Sequence, residues 1–266
     1  MTSRLGGLSP RRKALAAAVA LLATAGTAVG VVLGTAGGVP MPAGYPAQDR
    51  PGPVLLVPGY GGQAGSLAVL AARIRATGRQ AAVLRLPGNG TGSLVADAAV
   101  LNAAVSRALS HGAPSVDVIG YSAGGVVALL WARRDDGAHK ARRVVTLGAP
   151  FHGTAIAAGA QGFLPGACAL ACQQLVPGSS LLVSLDASDP AGLPDWLSLW
   201  TTDDTTVTPP DSARLAGATS VPVQSFCPGA WITHAQLPDN LAVIAVVLQA
   251  IGSRPIQYPG AADCRG

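Results

Sequence analysis

The stretch Val116-Asp117-Val118-Ile119-Gly120-Tyr121-Ser122-Ala123-Gly124-Gly125 decides the fold. Residues 116–119 predict a strand, and residues 123–133 show the apolar spacing of a helix. Between them, residues 120–124 match G-x-S-x-G, the pattern of a sharp strand-to-helix turn that lifts a serine hydroxyl above a sheet. Small residues on both sides allow strand and helix to pack closely there. Ser122 is therefore a predicted nucleophile; a glycine-rich turn with an incidental serine is the alternative.

Alternating strand and helix patterns surround this stretch. Predicted strands cover 54–57, 81–84, 116–119, 144–147 and 197–200, and predicted helices cover 66–77, 93–110, 123–133 and 240–251. This alternation indicates an α/β fold with a mostly parallel central sheet and helices on both faces. Residues 151–195 break the rhythm with small residues, Gly and Pro. We interpret them as a cap, a lid or a long loop over the site.

The first 39 residues predict an export segment. Arg11-Arg12-Lys13 precede an apolar run that begins at Ala14, and this order is typical of a signal peptide. The run is long enough to cross a bilayer, so an uncleaved anchor is the alternative. We expect residues 40–53 to be a linker and residues 54–266 to form one domain, which is secreted or held outside the cell membrane.

The charge of the chain does not indicate a nucleic-acid partner. Four of the 18 basic residues fall within the first thirteen positions, and the other 14 nearly balance 13 acidic residues, all Asp. A nucleic-acid-binding surface needs a concentrated basic face. Asp135 and Asp136 interrupt the one cluster, which we expect to be a solvated helix end and loop. Its members are Arg133, Arg134, Lys140, Arg142 and Arg143.

Four cysteines, all after the apolar run, indicate two disulfides in an exported chain. They are Cys168, Cys172, Cys227 and Cys264, and three pairings are open to them. The spacing of Cys168 and Cys172 makes a local bridge easy, which would leave Cys227 with Cys264. A metal site is the alternative, but no His accompanies the cysteines at ligand spacing. We expect neither a metal nor an organic cofactor.

From about residue 53 to 250 the chain resembles the α/β-hydrolases, and in particular small secreted bacterial lipases. The Ser122 segment looks like their nucleophile turn. Val144-Val145-Thr146-Leu147-Gly148-Ala149-Pro150, followed by His152-Gly153-Thr154, is similar to their next strand and loop. The resemblance implies that residues 54–266 are an α/β-hydrolase catalytic domain. Residues 151–195 carry the resemblance least.

The resemblance also implies an oxyanion hole, in which N–H donors meet the negative charge of an attacked carbonyl. One donor is expected from Ala123, the residue after the nucleophile. The other is expected from Tyr60, because residues 58–62 (Pro-Gly-Tyr-Gly-Gly) resemble the His-Gly-x-Gly-Gly loop of the lipases. Pro58 replaces the His of that loop. A glycine-rich turn with no catalytic part is the alternative.

His234 is the expected general base. In this fold the order along the chain is Ser, then Asp or Glu, then His. His111 precedes Ser122, and His139 and His152 come before any strand that could carry the acid, although His152 could line the pocket. His234 lies before the predicted last helix, where the lipases carry their catalytic histidine. A histidine on a surface loop is the alternative.

Asp204 is the expected acid, and Asp203 is its rival. Both follow the predicted strand at 197–200. The lipases often show an Asp three residues before a Val at this place, which selects Asp204 because Val207 follows it. The other Asp is then expected to cap the turn through its side chain.

Three classes of function follow from these residues. The first is a lipase or carboxylesterase, with a small-molecule or lipid ester as substrate, reached at a lipid–water interface if it is a lipid. The second is another serine hydrolase or acyltransferase of the same fold: a thioesterase, a peptidase or a mycolyl-type transferase. The third is a non-catalytic envelope protein, which the ordered Ser, Asp and His disfavour. No pattern in the sequence indicates an oligomeric state.

Overall fold

The computed structural model describes residues 44–62, 64–163, 166–186 and 192–265. The predicted export segment lies outside the described residues, as does the start of the predicted linker. Residues 44–53 lie against the domain that follows. Gln48 donates to the carbonyl of Arg142 and accepts from the Arg143 side chain. The helices within the described ranges include none long and apolar enough to cross a membrane.

A sheet of six strands runs through the described region. Its strands are β1 (Val54–Val57), β2 (Ala81–Val83), β3 (Val116–Tyr121), β4 (Ala141–Leu147), β5 (Asp195–Trp200) and β6 (Thr219–Pro222). They lie in the order β2-β1-β3-β4-β5-β6, and every neighbouring pair is parallel. The predicted parallel sheet is confirmed. Strand β6 was not predicted, because it ends in a proline and contains a single large apolar residue; an edge strand tolerates both.

Helices cover both faces of this sheet, as predicted. They are α1 (Ala64–Ala76), α2 (Leu94–Ser110), α3 (Ala123–Arg134), α4 (Ala155–Phe163), α5 (Leu170–Gln174), α6 (Ser180–Asp186) and α7 (Leu241–Ala250). One apolar core includes α2 and α3, and a second includes α1 and α7. Successive residues of β3 lie on opposite faces of the sheet, as a pleated strand requires. Val118 packs in the first core, and Ile119 packs in the second.

The segment at 151–195 carries the short helices α4, α5 and α6. The disulfide Cys168–Cys172 lies within it, and the disulfide Cys227–Cys264 joins the loop after β6 to the C-terminal tail. Of the three pairings open to the sequence, the structure therefore has the one that contains the local bridge.

The turn between β3 and α3 has no room for side chains at its glycines. A Cβ on Gly120 would lie 2.6 Å from the carbonyl oxygen of Gly124, and a Cβ on Gly124 would lie 2.2 Å from the carbonyl oxygen of Val57. These obstacles are backbone atoms, which cannot swing aside. The close approach of β1, β3 and α3 therefore depends on glycine at both positions.

Gly124→Ala should lower the free energy of unfolding by about 1–3 kcal/mol, which is the typical cost of overpacking against fixed atoms. Gly159→Ala is the matched control, since a Cβ at that position in α4 meets nothing within 4 Å. It should be neutral or stabilising by up to about 1 kcal/mol. Urea denaturation of both variants measures the two values, and equal stabilities would contradict the expectation.

The expectation that the basic cluster is a solvated helix end and loop is wrong for Arg142 and Arg143, which are fully buried in β4. Arg142 makes two hydrogen bonds to the carboxylate of Asp117, at 3.0 and 2.5 Å. The same carboxylate also pairs with Arg79 at 2.8 Å. A carboxylate that faces a guanidinium on two atoms makes a strong, charge-assisted pair, which offsets part of the cost of burying these charges.

Gln48 and the C-terminal end of α7 provide further acceptors for this cluster. Arg142 donates to the carbonyls of Ile251 and Gly252, and Arg143 donates to the carbonyl of Ala250. The last carbonyls of a helix lack intrahelical partners and carry partial negative charge. The sequence could not indicate this arrangement, because the acceptors at the end of α7 lie more than 100 residues after the two arginines.

Asp97, in the first turn of α2, is a buried carboxyl group with an oxygen that has no hydrogen-bond partner among the described residues. Burial raises the pKa of Asp97 to about 6. The folded protein therefore holds this proton more tightly than the unfolded chain does. The resulting stability is present at pH 4 and is lost as the pH rises through about 6.

Asp97→Asn should therefore stabilise the protein more at pH 8 than at pH 4, by about 2 kcal/mol, since one pKa unit corresponds to about 1.4 kcal/mol. The comparison requires urea denaturation of both proteins at each pH. Asp211→Asn is the control, because Asp211 is exposed, and its effect should not depend on pH in this way. An effect of Asp97→Asn that is equal at the two pH values would contradict the buried carboxyl as its source.

Candidate active site

The predicted site residues meet at the carboxyl edge of the sheet. Ser122 directly follows β3, and Asp204 lies in the turn after β5. Loops at this edge of a parallel sheet surround the crevice in which α/β proteins bind ligands. Two further loops reach this edge: the glycine-rich loop after β1 and the loop that carries His234.

Ser122 has an unusual backbone conformation, with φ 53° and ψ −127°. Such a conformation is costly for a residue with a side chain and occurs mainly at functional sites. The Ser122 N–H donates to the carbonyl of Leu147 at 2.8 Å, which ties the turn to the end of β4. Serine is a favoured helix cap, yet the Ser122 side chain makes no capping bond to α3. Its hydroxyl is thus left free of a structural role in the helix.

Asp204 is buried and holds a histidine. One oxygen of its carboxylate accepts the N–H groups of Thr206 and Val207 at 2.8 and 2.7 Å. The other oxygen lies 2.6 Å from Nδ1 of His234. A carboxylate only accepts, so Nδ1 carries the proton and Nε2 is the ring nitrogen able to take one.

Asp203 lies beside this pair and has different partners. Its carboxylate accepts from the side chain of Gln224 at 2.9 Å and from the N–H of Ile232 at 3.2 Å. The geometry therefore gives the two adjacent acids separate contacts: Asp204 contacts the imidazole, and Asp203 contacts the loop that leads to His234. The expectation that Asp203 caps the turn through its side chain is wrong, because the carboxylate of Asp204 accepts the N–H groups of that turn.

His234 lies against the residues that hold Ser122. Its ring centroid is 5.1 Å from that of Tyr121, whose hydroxyl donates to the His234 carbonyl at 3.3 Å. Gly148, with φ 57°, passes so close that a Cβ there would lie 2.9 Å from Nδ1 of His234. Ser122 and His234 thus contact the same segment, Leu147–Gly148. Among the described residues no hydrogen bond joins the Ser122 hydroxyl to the His234 ring, and such bonds often form only with substrate.

Tyr121 is fixed as a donor in this arrangement. Burial raises its pKa above the ordinary value of tyrosine, and the charges of Asp204 and Asp239 raise it further. Its hydroxyl therefore keeps its proton at neutral pH and acts as a donor. The sequence places Tyr121 inside the serine motif, but nothing in that pattern indicates a contact with the histidine loop.

The loop after β1 packs against Ser122. A Cβ on Gly59 would lie 2.9 Å from the Cβ of Ser122, and Gly61 adopts a φ of 80° that favours glycine. Tyr60 is 39% exposed between these two glycines. Ala123 opens α3, and the first N–H groups of a helix have no acceptor within it. Of the two predicted oxyanion residues, Ala123 therefore follows Ser122 in the chain, and Tyr60 follows Gly59, which packs against Ser122.

The other histidines have partners elsewhere. His152 lies 3.1 Å from the carboxylate of Asp186 and bonds the carbonyl of Arg214. His139 pairs with Asp136, and His111 bonds the carbonyl of its own helix at Arg107. Within the described ranges no group of three or more acidic, His or Cys side chains is arranged to hold a metal. A cavity of about 900 Å³, lined by residues from 51–55, 78–84 and 104–114, lies at the opposite edge of the sheet.

Thr154 joins the 151–195 segment to the turn that carries Asp204. Its hydroxyl donates to the carbonyl of Thr206 at 2.8 Å and accepts the N–H of Thr208 at 3.1 Å. The N–H of Ala155 donates to the carbonyl of Thr208. The sequence pattern included Thr154 in the loop after β4 but gave it no role. Its contacts with residues about 50 positions later became visible only in the fold.

Comparison with known proteins defines the fold. No protein-family model matches the chain, and no curated protein matches it. Among solved structures, Aspergillus fumigatus lipase B matches 84% of this chain with a TM-score of 0.62 and 18% identity. Mature Bacillus licheniformis lipase BlEst2 matches 80% with a TM-score of 0.62 and 19% identity. The protein has the α/β-hydrolase fold.

The matched proteins that share this α/β-hydrolase fold are covered by the chain to different extents. The chain spans 62% of the Aspergillus lipase and 94% of the mature Bacillus lipase. A third match, from work on the metagenome-derived lipolytic enzymes LipS and LipT, has a TM-score of 0.53 and 20% identity, and covers 79% of this chain and 98% of that one. The resemblance first noted at the Ser122 turn therefore extends over most of the described α/β-hydrolase fold.

Proposed function

We propose that the protein is a carboxylic ester hydrolase in which Ser122, His234 and Asp204 act as nucleophile, general base and acid. The observation that carries the proposal is the buried pair of Asp204 and His234 at 2.6 Å. This pair lies against the Leu147–Gly148 segment, which also binds the backbone of Ser122. Ser122 lies in a strained turn and its hydroxyl does not cap α3, so it completes the proposed triad.

The proposed reaction has two halves. Nε2 of His234 takes the proton of Ser122 as its oxygen attacks the ester carbonyl, and Asp204 stabilises the imidazolium that forms. The N–H groups of Tyr60 and Ala123 stabilise the negative oxygen of the tetrahedral intermediate. His234 then protonates the leaving alcohol. In the second half, water activated by His234 releases the acid and restores the serine.

We further propose a lipid ester as the substrate. Large apolar side chains are exposed on loops and helices that reach the carboxyl edge of the sheet, including Tyr60, Ile156 and Trp231, the last 75% exposed. Exposed apolar groups of this kind favour contact with acyl chains or with a lipid–water interface. The matched structures are named lipases and lipolytic enzymes, which supports the same substrate class.

We propose that the domain works outside the cytoplasm. Two disulfides are expected in an oxidising compartment and not in a reducing one, and residues 1–39 carry the pattern of an export signal or an anchor. Mass spectrometry of the mature N-terminus would distinguish the two forms.

Ser122→Ala should abolish hydrolysis of p-nitrophenyl esters and labelling by a fluorophosphonate, because no other side chain replaces the nucleophile. Peptide mapping of the labelled wild type should place the adduct on Ser122. A folded wild type without an adduct, or a variant that retains substantial turnover, would overturn the proposal. A series of acyl-chain lengths, with an emulsified long-chain ester, then tests the lipid substrate.

Asp204→Asn should lower kcat/KM by about 10³- to 10⁴-fold, because an amide neither stabilises the imidazolium nor fixes the tautomer in which Nε2 accepts. Asp211→Asn is the matched control on an exposed Asp in the same loop, and it should retain the wild-type value. Steady-state kinetics on a soluble ester measures both. A modest loss at Asp204, comparable to the control, would remove it from the triad.

A further inference from the structure

Asp203 and its partners connect the acid turn to the loop that carries His234. The carboxylate of Asp203 accepts the N–H of Ile232, two residues before His234. On the same residue, the carbonyl of Ile232 accepts the hydroxyl of Thr201 at 2.6 Å. Both hydrogen-bonding groups of the Ile232 backbone are thus held by side chains of the acid turn. Ile232 is itself buried, so water offers these groups little replacement.

Gln224, in the turn that follows β6, closes this arrangement. Its amide nitrogen, with two N–H groups to donate, lies 2.9 Å from the carboxylate of Asp203, 2.8 Å from the hydroxyl of Thr201 and 3.2 Å from the carbonyl of Ala230. Its amide oxygen accepts the N–H of Thr202 at 3.0 Å. A single side chain therefore bonds both the acid turn and the loop before His234.

We propose that Asp203 is a positioning residue that, together with Gln224, sets the position of His234 relative to Asp204 and Ser122. This inference rests on the proposed function, because the geometry it maintains is that of the proposed triad. Asp203 reaches the imidazole through Ile232 and not by direct contact. The two adjacent acids thus have different roles. Asp204 stabilises the charge on the His234 ring, and Asp203 positions the backbone of the loop that carries His234.

The two positions should respond differently to the same pair of substitutions. Asp203→Ala removes the acceptor of Ile232 and Gln224, and should lower kcat by about 10- to 100-fold, because displacement of a reacting group by about 1 Å costs that much. KM should stay within about twofold, since no substrate contact is lost. Asp203→Asn keeps an oxygen that accepts both bonds and should restore most of kcat, whereas Asp204→Asn should not.

The test compares kcat and KM of Asp203→Ala, Asp203→Asn and Asp211→Ala on a soluble ester, with hydrogen exchange of the peptide covering 226–237. The Ile232 amide should exchange faster in Asp203→Ala than in the wild type or in Asp211→Ala, and Asp203→Asn should restore protection. If Asp203→Ala does not fold, Gln224→Ala removes the bonds that join Gln224 to Asp203 and to the carbonyl of Ala230, and it should lower kcat and the protection of the same peptide; wild-type values of both would overturn the inference.

Two results would overturn the inference. One is a kcat of Asp203→Ala equal to that of Asp211→Ala, and the other is an Asp203→Asn variant as impaired as the alanine variant. Failure of the proposed function looks different: the wild type would then hydrolyse no ester and take no fluorophosphonate label. In that event the exchange data alone decide whether Asp203 holds the loop, and unchanged protection in Asp203→Ala would reject it.

Discussion

The arrangement of the site depends on the contact of β1, β3 and α3 without side chains between them. Gly120 and Gly124 place backbone against backbone at this crossing, and Ser122 is forced into a conformation that residues with side chains rarely adopt. The surrounding core compensates for that strain, because α3 is buried along most of its length. A rigid helix behind a strained serine fixes the position of its oxygen more closely than a flexible loop could.

The turn that carries Asp204 is the second element on which the proposed chemistry depends, and it is held from two sides. Thr154 bonds it to the base of the 151–195 segment, and Gln224 bonds it to the loop before His234. The disulfide Cys227–Cys264 joins the same loop to the C-terminal tail. The 151–195 segment and the loop before His234 thus hold the turn in which Asp204 contacts His234. Preorganisation of this kind lowers the cost of reaching a transition state.

Local patterns in the sequence were sufficient for part of this structure. The parallel sheet and the helices on both faces follow from alternating apolar runs, and Ser122 was located because its turn is encoded in five consecutive residues. Asp204 and His234 were chosen by order along the chain and by resemblance, and the structure places them 2.6 Å apart. Thr154, Asp203 and Gln224 make hydrogen bonds to residues 21 to 54 positions away, and no local pattern encodes such distances. Strand β6 was missed because an edge strand needs few apolar residues.

The arginines of β4 have a consequence for the order in which the chain can fold. The acceptors at the end of α7 are made more than 100 residues later, so a chain that has emerged only as far as β5 has Asp117 and Gln48 to meet the two guanidinium groups but lacks these carbonyls. Burying the two side chains at that stage would leave some of their N–H groups without acceptors in the interior, which costs free energy. We therefore expect the core around the arginines to close fully only with the C-terminal helix, and the loop that carries His234 lies just ahead of that helix. The same late stretch of chain would then complete both this core and the proposed site.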